Sequence, residues 1–573
     1  MKRCLMLFSA LAAALVLDAA PVSEQRAREV AHAFMPGGGE WNRLADAPAG
    51  LHIFNRKDGG FIIVSADDCA LPVLAYSHSG CFTLKDAPEN LRAWVDATSR
   101  VIRKAEALGW QPDSRALARW DSPSLLSRAG DGSRLINTAT WAQVSPFNYY
   151  APTVDGEKSV TGCVAVAMAI IMRHYCWPEA GSGLLPSYSY QTDKGNTRTQ
   201  SGHSLGAAYD WNDMPLNHVP EDNRSVAQLI YDCGISVQSS FNKDATGAYP
   251  DDAPKAMAEY FSYSQAALLE QRSYYSTAAW LARVKAEIDA DRPVLYSAAA
   301  AIGAHAFVVD GYDDASCLHV NWGWKGKCNG YYSIDCFFPQ VYEETSEAEF
   351  GLYYKHAAVF DLVPDKTGDS RPKTLLRFSR FGDLAGMRIT SGEIAKGSPF
   401  SIEFGLCTNR GRSDYVNGAI CVGLEDKNGQ LREFVGEKAE VDCLEPNMGL
   451  QYKEYPCRIT LEPALGDVLR VFYRVGQEWL PMSGPQDGTI VDFLSAGPDF
   501  YFIAEESQYF SGKQLTPALV YGRKSYQKVQ WYLDGVAFPS SSPALTQGRH
   551  TLKAVLTYAD GSKETIVQEL EVP

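Results

Sequence analysis

Cys163 is the residue of this sequence that is best placed to act as a nucleophile. It follows Thr161-Gly162 and opens a long apolar, alanine-rich segment that runs to about Tyr175 without Gly or Pro. This pattern predicts a buried helix that begins at the cysteine. The N–H groups and dipole at a helix N-terminus lower the pKa of a thiol and can stabilise an oxyanion. The simpler alternative is a small buried thiol at the start of a core helix.

A nucleophilic cysteine needs a base, and His305 has the most suitable surroundings among the ten histidines. Small residues at Gly303-Ala304 lead into a strand that Asp310-Gly311 is expected to end. Counting from residue 163 to residue 305 gives a separation of 142 residues, within the roughly 130–150 of papain-like Cys/His pairs. His174 lies on the predicted helix itself, too far along it to reach the thiol. His305 is therefore the predicted general base.

Two further stretches carry residues that could support this pair. Leu318–Asn321 predicts a second strand; Asn321 could orient the imidazole, and the following Trp322 could keep water from that hydrogen bond. Taken alone, these residues fit the closing of a hairpin equally well. Upstream, the amide of Gln143 could donate to an oxyanion, although no physical feature of its stretch separates it from a loop glutamine.

Taken together, these stretches resemble the streptopain family of secreted cysteine peptidases. The resemblance runs from about residue 138 to 363 and is carried, in the family's order, by Gln143-x-x-Pro-Phe-Asn, Thr-Gly-Cys163-Val-Ala-x-Ala-Met-Ala, Ala-His305-Ala-Phe-Val-Val-Asp-Gly and Asn321-Trp322-Gly-Trp. It implies a papain-like fold, a Cys163/His305 dyad and Gln143 as the oxyanion donor. Asn321 and Trp322 would support the histidine.

Two positions depart from the family pattern. Ala304 stands where family members carry glycine, and Ser297 stands where the member that names the family has glutamine. Both positions are expected to line the substrate cleft. They leave the subsite preference open and do not affect the chemistry.

Length, composition and the first residues indicate a secreted protein of several domains. The 573 residues correspond to about four domains, at one per ~150 residues. Residues 1–20 join Lys2 and Arg3 to an apolar stretch from Leu5 to Leu17, which is typical of a signal peptide. No later stretch of the sequence is long and apolar enough to predict a membrane span. A net charge of −15 argues against nucleic acid or an anionic lipid surface as the main partner.

The thirteen cysteines define no clear disulfide framework. Two pairs are conceivable, Cys317 with Cys328 and Cys443 with Cys457. A zinc site that adds His319 and Cys336 to the first pair lacks the usual paired ligand spacing. We therefore expect neither a metal nor a cofactor.

Residues 21–133 predict a compact α+β unit ahead of the catalytic region. Two helical apolar stripes are expected, formed by Ala27, Val30, Ala31 and Phe34 and by Leu91, Trp94, Val95, Thr98 and Ile102. A hairpin is predicted between them around Asp58-Gly59. The unit resembles the inhibitory prosegment of streptopain-family zymogens, and residues 122–133 would be its cleavable linker. A permanent accessory domain is the alternative.

After about residue 365, alternating strand patterns with turn signals predict two all-β, immunoglobulin-like sandwich domains. These two modules could contact a cell surface or a glycan, or they could be spacers.

The complete prediction is an α+β protein that carries all-β domains at its C-terminal end. It comprises a signal peptide (1–20), an inhibitory prosegment with its linker (21–133), a papain-like catalytic domain (134–364) and two β-sandwich domains (365–494 and 495–573). We expect a secreted or surface-located cysteine endopeptidase, made as a zymogen, that acts on proteins or peptides. Its own prosegment would be its intramolecular inhibitor. The alternatives are an acyl transferase or amidase that uses the same dyad, and a surface adhesin with a vestigial peptidase core.

Overall fold

The computed structural model of the protein describes residues 20–85, 87, 89–108, 112, 114–122, 133–275, 277–300, 303–334, 354–379, 387–392, 394, 396–426, 428–463, 467–483, 491–492, 501–503, 514–520 and 526–572. Several predictions from the sequence concern residues outside these ranges: most of the signal peptide, the centre of the 122–133 linker, Cys336 and the domain boundary near 495. None of the helices among the described residues is long and apolar enough to cross a membrane.

The N-terminal unit combines three helices with four strands. Its elements are α1 Glu24–Phe34, β1 Trp41–Arg43, β2 Leu51–Arg56, β3 Phe61–Ser65, β4 Val73–Ser77, α2 Glu89–Leu108 and α3 Ser114–Asp121. Both predicted apolar stripes are buried, one on α1 and one on α2. The predicted hairpin is confirmed, since β2 pairs with β3 around a turn in which Gly59 and Gly60 both have positive φ.

The central part of the chain mixes helices with short and long strands. Its elements are β5 Arg134–Leu135, β6 Thr153–Val154, β7 Glu157–Lys158, α4 Cys163–Tyr175, β8 Tyr188–Gln191, β9 Thr197–Gln200, α5 Ser225–Ser236, α6 Asp252–Tyr260, β10 Leu268–Gln271, α7 Thr277–Asp289, β11 Val294–Ala300, β12 Gly303–Tyr312, β13 Leu318–Asn321, β14 Gly330–Tyr332 and β15 Tyr354–Phe360. The predicted helix at Cys163 and the predicted strand at Leu318–Asn321 are both confirmed.

One predicted strand end is wrong. Strand β12 does not stop at Asp310-Gly311 but continues to Tyr312, because β5 pairs with it at Gly311. A side chain on Gly311 would lie 2.6 Å from the carbonyl oxygen of Arg134. The glycine therefore permits a close strand approach and does not form a turn.

A single 11-stranded sheet joins the N-terminal unit to the central part. Its order is β1-β2-β3-β4-β14-β13-β12-β11-β15-β10, with β5 paired to β12. One apolar core packs α2 and α7 on the sheet, and a second surrounds α4 and α5. The junction is β4 on β14, so the N-terminal unit extends the sheet of the central part.

The described residues after 365 contain strands and no α-helix. The first β region comprises β16 Leu376–Ser379, β17 Met387–Gly392, β18 Pro399–Asn409, β19 Tyr415–Glu425, β20 Leu431–Phe434, β21 Ala439–Leu444, β22 Gly449–Arg458, β23 Val468–Val475, β24 Glu478–Pro481 and β25 Val491–Asp492. Its two sheets share one apolar core. The second β region comprises β26 Tyr501–Ile503, β27 Ala518–Val520, β28 Lys528–Leu533, β29 Val536–Phe538, β30 Gly548–Thr557 and β31 Lys563–Val572, and it has its own core.

The cysteine pairs that spacing alone suggested are not bonded. Cys317, Cys328, Cys443 and Cys457 are all free thiols. Burial raises the pKa of Cys317 and of Cys328, which makes both thiols less reactive.

Candidate active site

Cys163 is the first residue of α4, and its thiol is partly exposed. The preceding Gly162 has a φ of +92°, and a Cβ there would lie 3.0 Å from the Thr246 methyl carbon and 3.1 Å from its carbonyl oxygen. The turn before the nucleophile therefore requires glycine. The Thr246 hydroxyl also donates to the Val160 carbonyl at 2.7 Å. These contacts hold the thiol at the end of α4 that carries the helix's unpaired N–H groups.

His305 lies on β12, the strand whose backbone reaches the Cys163 thiol. The backbone N–H of the next residue, Ala306, donates to Cys163 Sγ at 3.4 Å. The Ala306 side chain belongs to the core around α4, whereas His305 projects from the opposite face of the strand because side chains alternate. Across the hairpin, His305 pairs with Ala298, and the buried Ser297 pairs with Ala306. The fold thus brings the strand that carries the predicted base to the nucleophile, and the direct pairing of His305 with Cys163 stays a prediction.

Gln143 lies beside the turn that carries the nucleophile. Its carbonyl accepts a hydrogen bond from the Thr161 N–H at 3.1 Å, two residues before Cys163. Within the described part of the chain, its half-buried side-chain amide forms no hydrogen bond. The Gln143 amide is thus available as a donor close to the N-terminus of α4.

Asn321 ends β13 and is fully buried. Its amide nitrogen donates to the Thr138 hydroxyl and the Ala139 carbonyl, each at 2.9 Å. Its amide oxygen accepts from the Gly323 N–H at 3.2 Å. Among the described residues, His305 is not a hydrogen-bond partner of this side chain. The role of Asn321 in orienting the histidine stays a prediction, and the contacts given by the structure tie β13 to residues 138–139.

Trp322 is buried close to Cys163. Its ring centroid lies 5.1 Å from that of Phe307 and 5.0 Å from that of Tyr332. A small cleft between α4 and the sheet is lined by Cys163, Asn321 and Trp322 among others. This cleft brings together the helix that carries the nucleophile, the histidine strand and the Asn-Trp turn.

Sequence reasoning missed a buried polar group that supports this turn. Asp310 accepts hydrogen bonds from the Thr138 hydroxyl and from His319, each at 2.5 Å. Thr138 in turn accepts from Asn321. The only available signal was the acidic residue inside an apolar strand, which had been assigned to a turn.

The N-terminal unit reaches the same sheet through Tyr76 on β4. Its hydroxyl donates to the buried carboxylate of Asp313 at 2.8 Å, and its ring stacks on Tyr331 with centroids 5.0 Å apart. Burial raises the pKa of Asp313. A side chain at Gly330 would lie 2.5 Å from the Tyr76 carbonyl oxygen, so this glycine permits β4 to approach β14.

No group of three or more His, Cys, Asp or Glu side chains that could hold a metal occurs in the ranges that the structure describes. The Cys163 thiol and the Asn321 carboxamide line the cleft, the Gln143 carboxamide lies beside the turn that carries the nucleophile, and the His305 imidazole belongs to the adjoining strand β12. This set fits acyl chemistry carried out by side chains alone.

Two family models match this chain. Residues 141–332 match the model described as the Peptidase C10 family. Residues 19–102 match the model described as Spi protease inhibitor. The first range contains all five candidate site residues, and the second covers α1 to the middle of α2.

Curated relatives match over about half of the chain. The thiol protease/hemagglutinin PrtT of Porphyromonas gingivalis is 31% identical over 334 residues, which are 55% of this chain and 38% of that protein. Streptopain of Streptococcus pyogenes is 29% identical over 313 residues, 51% of this chain and 75% of that protein. The match therefore spans well under half the length of PrtT.

Solved structures of a similar protein also match. A fragment of prointerpain A from Prevotella intermedia is 25% identical with a TM-score of 0.46, covering 57% of this chain and 99% of that chain. Active interpain A from the same organism is 26% identical with a TM-score of 0.35, and the match covers 40% of this chain and 94% of that chain.

Proposed function

The chain belongs to the peptidase C10 family, also called the streptopain family, and from this premise we propose that it is a secreted cysteine endopeptidase made as a zymogen. The observation that carries the proposal is the position of Cys163. Its sulfur lies at the N-terminus of α4 and 3.4 Å from the backbone of the residue that follows His305. A thiol and an imidazole on facing elements form the minimal apparatus for acyl transfer.

Hydrolysis begins when His305 takes the proton of the Cys163 thiol and the resulting thiolate attacks the scissile carbonyl carbon to form a tetrahedral oxyanion. The Gln143 amide and the Cys163 backbone N–H donate hydrogen bonds to that oxygen. His305 then protonates the leaving amine as the C–N bond breaks, which leaves a thioester. His305 finally removes a proton from water, and the water oxygen displaces the thiolate and releases the acid.

Two residues act through the dyad. Trp322 packs against Phe307 and limits the access of water to the histidine strand. Asn321 supports His305 by fixing the end of β13 against residues 138–139. The core has the papain-like arrangement, in which a helix that starts at the nucleophile packs on the sheet that carries the histidine.

The N-terminal unit is the zymogen's inhibitor. The match of residues 19–102 to an inhibitor family supports this role, as does the pairing of β4 with β14. Cutting the chain within 122–133 would release the unit from the catalytic domain.

Residues 1–20 direct the chain to secretion, and the two β regions are immunoglobulin-like domains that contact a cell surface or a glycan. The relative PrtT carries both protease and hemagglutinin in its name. Because the site of this chain holds the full set of Cys163, His305, Gln143 and Asn321, a purely adhesive protein with a vestigial core is disfavoured.

The test is casein hydrolysis by the matured protein. An irreversible, peptide-like epoxide should stop hydrolysis and label Cys163, as read by peptide mass spectrometry. Cys163→Ala should abolish activity, while Cys176→Ala, at the far end of the same helix, should retain it. Hydrolysis by Cys163→Ala near the wild-type rate would refute the assignment. Capture of the acyl group by an added amine in place of water would indicate an acyl transferase.

A further inference from the structure

The first β region is attached to the central part of the chain by buried charged groups. On the central part, the carboxylate of Glu270 on β10 is almost completely buried. It accepts a hydrogen bond from Arg377 of β16 at 3.0 Å and another from Arg283 of α7 at 3.2 Å. A buried carboxylate is stable only when it is paired, so Arg377 completes the surroundings of a residue that belongs to the central part.

The side chain of Arg377 is itself enclosed by the central part. Its guanidinium carbon lies 5.4 Å from the ring centroid of Tyr274 and 5.5 Å from that of Tyr275. The guanidinium also donates to the Tyr275 hydroxyl at 2.9 Å. A cation between two aromatic faces and a carboxylate has lost most of its water, so withdrawing it would leave the Glu270 carboxylate short of a partner.

A second arginine fixes the first β region at another point. Arg412, in the loop after β18, donates from Nη1 to the carbonyl of Pro254 at 3.0 Å and to that of Ala267 at 3.2 Å, with a longer contact to Gln265 at 3.5 Å. Burial lowers the pKa of Arg412. Because Arg377 and Arg412 bind different parts of the core, they fix the orientation of the first β region as well as its position.

The chain segment between the two bodies also lies on the core. The Gln265 N–H donates to the Ser370 hydroxyl at 2.9 Å, and Lys373 pairs with Asp361 at 3.4 Å. Exposed residues in this segment are limited to 366–369 and Arg371. It therefore differs from a free polar tether between independent modules.

We propose that the first β region is a fixed structural partner of the peptidase core, bound through Arg377 and Arg412, and that it stays bound after the N-terminal unit has gone. Its partner is the face of the core formed by β10, α7 and the first turn of α6. The region completes the core and is not a module on a flexible tether. This inference does not depend on the catalytic proposal, because its test measures association and not activity.

The test cuts the connection and asks whether the two parts separate. Residues 366–369 are replaced by the recognition sequence of a site-specific protease. The replacement is made in the full-length Cys163→Ala chain, because loss of the proposed nucleophile prevents self-digestion. After the cut, size-exclusion chromatography at micromolar concentration should recover both parts in one peak at the position of the uncut chain. Separation of the two parts would overturn the proposal, and this result requires no interface substitution.

Matched variants then test the two arginines. Arg377→Ala with Arg412→Ala should leave the uncut chain at the same elution position but separate the parts after cutting, with at least tenfold less co-elution. Arg371→Ala with Arg458→Ala changes two exposed arginines and should leave the parts together. If the first pair of substitutions also leaves the cut parts together, the assignment to Arg377 and Arg412 is wrong.

Discussion

Two parts of the molecule pack on the central part of the chain, the N-terminal unit and the first β region, and we call them its covers. The two covers are attached by different chemistry. The N-terminal unit adds strand β4 to β14 and donates one tyrosine hydroxyl to Asp313. The first β region inserts two arginines among buried carboxylate and carbonyl groups. Removing a strand and a neutral donor leaves groups that water can solvate. Removing Arg377 leaves the buried Glu270 carboxylate without one of its two arginine partners. The attachment of the N-terminal unit therefore suits a part that departs, and that of the first β region suits a part that stays.

The largest effect is expected at the charged attachment. Glu270→Ala leaves the buried Arg377 without its carboxylate and removes one of the two carboxylate partners of the half-buried Arg283, and the loss of one partner of a buried pair costs about 3–5 kcal/mol. We expect a decrease of this size in the free energy of unfolding in urea, measured in the Cys163→Ala background. The control is Asp361→Asn, which breaks the more exposed pairs with Arg283 and Lys373 and should cost about 0–1 kcal/mol. Equal losses in both variants would remove the distinction between the two attachments.

The next largest effect concerns catalysis. It should leave the N-terminal unit and the first β region attached, because all the proposed reacting groups lie in the central part of the chain. Gln143→Ala removes one oxyanion donor and should lower kcat by roughly 10–1000-fold with little change in KM. The control Gln191→Ala removes an exposed glutamine of β8 and should retain full activity. A large rise in KM with kcat unchanged would assign Gln143 to substrate binding.

A smaller effect is expected for the attachment of the N-terminal unit. Tyr76→Phe removes the hydroxyl that satisfies the Asp313 carboxylate and should weaken docking of the N-terminal unit by about 1–3 kcal/mol. We therefore expect faster release of the unit during maturation, which can be measured by gel electrophoresis. Tyr312→Phe removes a similar tyrosine–aspartate bond, to Asp289 at an exposed position, and should mature at the wild-type rate. Identical rates for both variants would show that the Tyr76–Asp313 bond does not hold the cover.

The smallest effect is a difference in pH dependence. Because burial raises the pKa of Asp313 in the folded state, this carboxyl binds its proton more tightly folded than unfolded. Its contribution to stability is therefore greatest below its ordinary pKa of about 4 and is lost as the pH rises through the raised folded value. Relative to Asp313→Asn, wild-type stability should fall across this window in urea titrations. Parallel pH profiles of stability for the wild-type and Asp313→Asn chains would contradict this prediction.

The parts of the fold that depend on local pattern were predictable, and the long-range contacts were not. Helix α4 was predicted with its observed ends because its apolar run contains no breaker until after Tyr175. The end of β12 was mispredicted because Gly311 serves a contact with β5, which lies far away in the sequence. The same holds for Tyr76 with Asp313, 237 residues apart, and Glu270 with Arg377, 107 residues apart.

The same distinction between local pattern and long-range contact applies to the candidate site. Residue type and spacing were enough to select Cys163 and His305 as candidates, and the fold places the backbone N–H of the residue after His305 against the Cys163 sulfur. The partners of Asn321 were not predictable, because Thr138 and Ala139 approach it from a segment more than 180 residues upstream.

The most direct test of the account follows the N-terminus of the full-length chain by intact mass spectrometry while casein hydrolysis is recorded. The wild-type chain should lose its N-terminal unit by cleavage within 122–133, and hydrolysis should rise as that unit is released. The Cys163→Ala chain should stay intact alone and be cut at the same place when wild-type enzyme is added. Self-cleavage of Cys163→Ala at the wild-type rate, or full casein hydrolysis before any cut, would contradict the account of Cys163 as the nucleophile of a latent peptidase.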